Sequence, residues 1–194
     1  GIAVVLDVVY NHFGPQGNYL HRYAKSFFTE RYHTPWGAAL DFESAAGRNV
    51  RDYFIENALY WLNEYQFDGL RLDAVHAIRD SSEIHFVDEL ADAIDRGPGQ
   101  ERYVHLILEN HENQVSRLQA TAKVSKAQWN DDFHHIMHVL MTEEVDGYYT
   151  NYADGTLARL GRVLAEGYAY QGEPYGEDRE VRGGPSRQFP PTAF

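Results

Sequence analysis

The chain has no cysteine among its 194 residues. Disulfides, thiolate metal sites and a thiol nucleophile are therefore excluded, and a reducing, cytoplasmic setting fits. Basic residues are also scarce. Seventeen Lys and Arg stand against 29 Asp and Glu, a net charge of -12, so nucleic acid and anionic membrane surfaces are unfavourable partners. No apolar run reaches the roughly 18 to 20 residues needed to cross a bilayer, and no basic-then-apolar leader opens the sequence, so a soluble protein is expected. What is present is 43% hydrophobic and 14% aromatic residues, enough for a sizeable globular core. Gly1 stands directly before a strand-like run and the last residues are PPTAF, as expected of a piece of a longer polypeptide.

The run IAVVLDVVY is β-branched and almost wholly apolar, the pattern of a strand buried on both faces of a parallel sheet; its one charge is Asp7. From Asn11 to about Gly47 the chain is interrupted by Gly14, Pro15, Gly17, Pro35, Gly37 and Gly47, which predicts one long active-site loop. Asn49 is a candidate cap for a helix whose apolar stripe is Val50, Phe54, Ala58, Trp61, Leu62 and Tyr65. A strand GLRLDAV follows. Ser81 or Ser82 is placed to cap a second helix with the stripe Ile84, Val87, Leu90, Ala91 and Ile94, ended by Gly97-Pro98-Gly99. Then come a strand YVHLILE, a short helical segment from Gln114 to Ala122, a strand around KAQWNDD, a helix FHHIMHVLMTEE, a helix in GTLARLGRVLAEGYAY, and a loop from Gly172. The alternation of strand and helix implies parallel strands joined by crossover helices. Because the first turn, YNHFGPQG, lacks a glycine fingerprint for phosphates, a (β/α)8 barrel, here in part, is favoured over an open nucleotide-binding sheet. No second domain is evident.

Chemistry gathers at the carboxyl ends of the expected strands: Asp7, Asn11 and His12; Arg71, Asp73 and His76; Glu109 and His111; Asp131 and Asp132. Alternation sends Leu70 and Leu72 to one face and Arg71 and Asp73 to the other, with Glu109 in the parity of Ile107. A carboxylate so placed costs several kcal/mol unless paired, and Arg71 is the obvious partner for Asp73, with a bridge to a buried Asp7. Two carboxyl groups on adjacent strand ends about 5 to 5.5 Å apart suit a retaining glycosidase. The aromatic residues Tyr10, Phe13, Tyr19, Tyr23, Phe27, Phe28, Tyr32 and Trp36 are too irregular for one helix face and divide between core and sugar-stacking platforms. His134 and His138, four apart, raise a rival metal-hydrolase reading but lack an intervening Glu and an obvious third ligand.

These residues resemble the signature regions of the α-amylase family of glycoside hydrolases: DVVYNH the first, GLRLDAVH the second and LILEN the third, in the family's order. YNHFGPQGNYL, TPWGAALDF and QWNDDFHHIMHVL are similar to its trehalose-releasing members. The resemblance implies an α-glucan or maltooligosyl trehalose as substrate, with cleavage by double displacement. It also implies Asp73 as nucleophile, Glu109 as general acid/base, Arg71 fixing Asp73, Asp7 supporting Arg71 and His12 on the sugar. Tyr10, Asn11, Trp36, His76 and His111 are assigned to substrate binding or support, and no metal or cofactor is expected. The family's fourth signature, Phe-x-x-Asn-His-Asp with the third catalytic carboxylate, does not occur in this chain. The chain is therefore expected to cover about strands three to six of the barrel and to be inactive alone. The alternatives are a branching or debranching enzyme of the same family and an inactive carbohydrate-binding piece.

Overall fold

The structure, a computed structural model, describes residues 1–14, 16–119, 121 and 123–194. The chain divides into two compact units, Gly1–Glu109 with Ala120–Lys126, and Asn110–Gln119 with Ala127–Phe194. No helix among the described residues is long and apolar enough to cross a membrane.

The first unit contains β1 (Val5–Val8), a short helix α1 (Leu20–Tyr23), β2 (Phe28–Thr34), β3 (Gly37–Leu40), α2 (Gly47–Glu64), β4 (Gly69–Leu72), α3 (Phe86–Arg96) and β5 (Val104–Glu109). A further strand, β6 (Val124–Trp129), starts in this unit and continues into the second. The main sheet has the order β1-β4-β5-β6, and β4 lies parallel to both β1 and β5. The expected parallel sheet with crossover helices is thus present. Its registers place Asp7 opposite Arg71 and Arg71 opposite Ile107, so one row of side chains crosses three strands. Gly69 is required where β4 meets β5, because a Cβ there would lie 2.3 Å from the carbonyl oxygen of His105.

Leu70, Leu72, Val104, Leu106 and Leu108 project from the other face into a core with Val50, Phe54, Ala58 and Leu62 of α2 and Phe86, Val87, Leu90, Ala91 and Ile94 of α3. Each of these Val, Leu, Ile and Phe side chains contributes about 1.5–3 kcal/mol of burial. This sheet face fixes the strand ends on which the polar row stands.

Several local expectations are corrected. The first strand is not buried on both faces: among the described residues β1 pairs only with β4, and Ile2, Val4, Val5 and Val9 are exposed. The region from Asn11 to Gly47 is not a single loop, since β2 and β3 form an antiparallel hairpin with a register shift between Thr29 and His33. That irregular register, and polar residues on both sides of FTERYHT, erased the alternation that announces a strand. Helix α2 starts at Gly47, two residues ahead of the expected Asn49 cap. Asp41 organises this entry by accepting from the Ser44 amide at 3.0 Å, and Gly47 packs against Asp41 too closely for a Cβ. Helix α3 is capped not by Ser81 or Ser82 but by His85, whose Nδ1 accepts from the Val87 amide at 3.2 Å, and by Asp80, which accepts from the Phe86 amide at 2.6 Å. A charged acceptor locked by Arg51 outcompetes a neutral hydroxyl. Ile84 and Tyr65 fall outside their helices and are exposed.

The second unit contains α4 (Asp131–Thr142), α5 (Thr156–Glu166) and a hairpin of β7 (Glu173–Tyr175) and β8 (Glu180–Arg182), where a loop was expected. The helix expected over Gln114 to Ala122 is a 3₁₀ turn, Val115–Leu118, and its last expected residues include Ala120 and Ala122, outside the described residues. Asp132 is not a reactive group at a strand end: it is fully buried in α4, which Asn130 caps. It accepts from Tyr152 Oη at 2.6 Å, Asn113 Nδ2 at 2.9 Å and the amides of Ala169 and Tyr170 at 2.8 and 3.1 Å, and pairs with Arg182 at 3.2 Å. A buried carboxylate this well satisfied ties α4 to the segments carrying Tyr152, Ala169 and Arg182.

Candidate active site

Three carboxylates meet one guanidinium at the carboxyl ends of β1, β4 and β5. Arg71 Nη1 lies 2.8 Å from Asp7 Oδ1 and 3.0 Å from Asp73 Oδ1, and Nη2 lies 2.8 Å from Glu109 Oε2. Arg71 itself is buried, 8% exposed, because β4 is an interior strand and its position faces the polar row. Asp7 differs from expectation: it holds Arg71, but its side chain is 62% exposed, since β1 is an edge strand.

Asp73 is gripped from a second side. Asn11 Nδ2 donates to Asp73 Oδ2 at 2.9 Å and to the Asp73 carbonyl at 2.6 Å, while the Asp73 amide donates to the carbonyl of Val8 at 3.0 Å. The chain then turns sharply. Ala74 adopts the left-handed conformation, φ 39° and ψ 55°, and its amide donates to Glu109 Oε2 at 2.9 Å.

The two inner carboxyl groups are driven apart in acidity. Burial alone raises Asp73, but hydrogen bonds from Asn11 and Arg71 and the charge of Arg71 outweigh it and hold this carboxyl below the usual range. Glu109 is raised, first by burial and then by the negative charge of Asp73, against the lowering influence of the Ala74 amide and of Arg71. One ionised carboxylate beside one proton-carrying carboxyl is the acid/base arrangement that opposite environments produce.

Around this pair, the His12 ring stacks on Trp36 with centroids 4.3 Å apart, and His12 Nδ1 is bonded to Asn11 Oδ1. Trp36 also borders a cleft of about 450 Å³ lined by Phe13, Asn18, His21, Lys25 and Phe28. Tyr10, expected on the substrate, is instead a core residue, 4% exposed. Its ring packs on Phe54 and its hydroxyl donates to Asn57 Oδ1 at 2.8 Å. Its position in β1's parity with Val8 carries it into the helix-facing core rather than the polar row. His76 lies in the 3₁₀ turn Val75–Ala77 directly after Ala74. His111 belongs to the second unit, where it borders a cleft with Tyr175, Glu177 and Asp178. His138 bonds Glu144 at 2.8 Å and stacks on Tyr149. Among the described residues no three His, Cys, Asp or Glu side chains converge as a metal set. Sequence reasoning did not find Ala74 or Asn57. An alanine with positive φ leaves no sequence signal, whereas a glycine would have left one.

No protein-family model matches the chain. Malto-oligosyltrehalose trehalohydrolase of Deinococcus radiodurans is 44% identical over 190 residues, covering 96% of this chain and 30% of that protein. The enzyme of the same name from Saccharolobus solfataricus is 37% identical over 187 residues, covering 94% and 32%. The crystal structure of a putative alpha amylase from Salmonella typhimurium superposes with a TM-score of 0.89 at 44% identity, over the whole of this chain and 33% of that one. The chain is therefore a relative of the malto-oligosyltrehalose trehalohydrolases, glycoside hydrolases of the α-amylase family, and spans about a third of their length.

Proposed function

We propose that this chain is the catalytic part of a (β/α)8 barrel, about strands three to six within one domain, in a retaining α-glucan hydrolase that releases trehalose from maltooligosyl trehalose. Asp73 attacks the anomeric carbon while Glu109 passes its proton to the departing glycosidic oxygen, so the C–O bond breaks as the glycosyl-Asp73 ester forms. Water then gives a proton to Glu109, attacks the same carbon and frees Asp73. Arg71 and Asn11 keep Asp73 ionised and aimed, Asp7 holds Arg71, and His12, Trp36 and His76 serve the sugar. A third carboxylate comes from outside this segment.

The observation that carries the proposal is the pair itself: Asp73 lowered and Glu109 raised around the single guanidinium of Arg71. Asp73, held ionised and aimed by Arg71 and Asn11, is suited to attack directly, as the nucleophile of a retaining enzyme does. The decisive experiment gives maltooligosyl trehalose to the full-length polypeptide. Free trehalose is expected, together with a maltooligosaccharide whose new reducing end is first the α-anomer. New branches, debranching without trehalose, or binding without turnover would replace this function by one of its alternatives.

A further inference from the structure

Glu109 has two carboxyl oxygens, and the site treats them unequally. Oε2 receives two N–H donors, the Ala74 amide at 2.9 Å and Arg71 Nη2 at 2.8 Å. A proton placed on that oxygen would point at hydrogens already pointing at it, so Oε2 is an acceptor in both ionisation states. We propose that Ala74 is a positioning residue, whose left-handed backbone fixes Oε1 of Glu109 as the oxygen that carries and transfers the proton. The inference rests on Glu109 being the acid/base of the proposed reaction.

The backbone geometry explains why position 74 is the one that does this. Directly after Asp73 the chain leaves β4 and enters the turn Val75–Ala77, and the Ala77 amide bonds back to the Ala74 carbonyl at 2.8 Å. The Ala74 amide points to the end of β5, where Glu109 Oε2 accepts from it, and the left-handed φ of 39° turns the chain that follows away from the β4 ladder. Asp73 and the amide of the next residue therefore reach the two halves of the reaction together: the nucleophile through its side chain, the acid through its neighbour's N–H. Proton delivery from one oxygen in a fixed direction restricts the leaving group to one side of the sugar plane. The same amide also restrains the rise of Glu109, because it stabilises the carboxylate.

The test compares two variants of the full-length polypeptide that carries this segment. Ala74→Gly permits the left-handed conformation and keeps the amide in place, whereas Ala74→Val disfavours it strongly through its β-branch. With folding checked by circular dichroism, kcat/KM is followed against pH on an α-glucan and on α-glucosyl fluoride, whose leaving group needs little protonation. Ala74→Val is expected to move the basic limb up by about half a pH unit or more, since loss of the amide's hydrogen bond to Oε2 raises Glu109 further. It is also expected to lose at least about tenfold more on glucan than on fluoride. Ala74→Gly is expected to leave the limb in place. A folded Ala74→Val protein with an unmoved limb and equal losses on both substrates overturns the inference, as does an equal limb shift in Ala74→Gly. Glu109→Gln separates the premise: if it loses no more on glucan than on fluoride, Glu109 is not the acid, and the proposed function falls with it. If Glu109→Gln shows the large difference and Ala74→Val does not, only the positioning role of Ala74 is lost.

Discussion

The side-chain amide of Asn11 donates to both the carboxylate and the main-chain carbonyl of Asp73, at 2.9 and 2.6 Å. It couples the end of β1 to the end of β4 at the residue expected to attack, and it does so from the side opposite Arg71's contact with Oδ1. Each oxygen of Asp73 thus has its own donor, which locks the plane of the carboxylate.

Replacing Asn11 by Ala removes a donor that holds Asp73 below the usual carboxylate range. The Asp73 pKa then rises, and since attack needs the ionised form, the acidic limb of kcat/KM moves to higher pH. A hydrogen bond to a charged group is worth about 1.5–3 kcal/mol, so a loss of about 10- to 100-fold in kcat/KM is expected. Steady-state kinetics between pH 4 and 8 on the full-length polypeptide measure both.

Asp73→Asn in the same polypeptide is expected to lower turnover by about 10³-fold or more while leaving substrate binding in place. Hydrolysis at the unsubstituted rate, with binding measured by calorimetry, would remove Asp73 from the reaction.

Trp36→Ala takes away the surface on which His12 stacks. If Trp36 serves the sugar, KM rises about fivefold and kcat changes less, in line with about 1 kcal/mol for a stacked aromatic contact. An unchanged KM would confine Trp36 to supporting the hairpin.

Arg51, buried in α2, pairs with Asp80 at 2.6 Å and with Glu89 at 2.6 Å. Burial raises Asp80, but bonds from Ser82, the Phe86 amide and Arg51 outweigh it, so its folded pKa lies below the unfolded value of about 4. The stability it contributes is present above that unfolded value and is lost as pH falls through the folded one. Asp80→Asn is expected to cost about 3 kcal/mol near neutral pH and to flatten the loss of stability between pH 5 and 3. Thermal melting over that range checks the direction.

Tyr152→Phe removes the hydroxyl that donates to Asp132 at 2.6 Å and accepts from Arg182 at 2.9 Å. With both charges fully buried, a destabilisation of about 1–3 kcal/mol is expected, read as a lower melting temperature with activity per folded molecule retained.

The carboxylate cluster was legible because strand parity is rigid. Arg71 and Asp73 are two apart, Glu109 has the parity of Ile107, and each lies at the end of an apolar run, so any parallel pairing of those runs brings them together. The helical stripes of α2 and α3 were legible for the same reason, with period 3.6 in place of 2. What could not be read were contacts set by polar groups far apart in sequence. Asp80 rather than a serine caps α3 because Arg51 comes to meet it. Asp132 resembles a strand-end carboxylate until Tyr152, Ala169 and Arg182 enclose it. Tyr10 resembles a sugar platform until Asn57 takes its hydroxyl.

Which residues lie on the polar row, and in what order, is written along the chain, because side-chain alternation and hydrophobic burial are local rules that need no knowledge of the neighbours. The acidity of those residues is set by the folded arrangement. Asp73 and Glu109 are both carboxylic acids near one arginine, and their pKa values part because Asn11 reaches Asp73 while burial prevails at Glu109. Neither influence is encoded within hydrogen-bonding range along the chain.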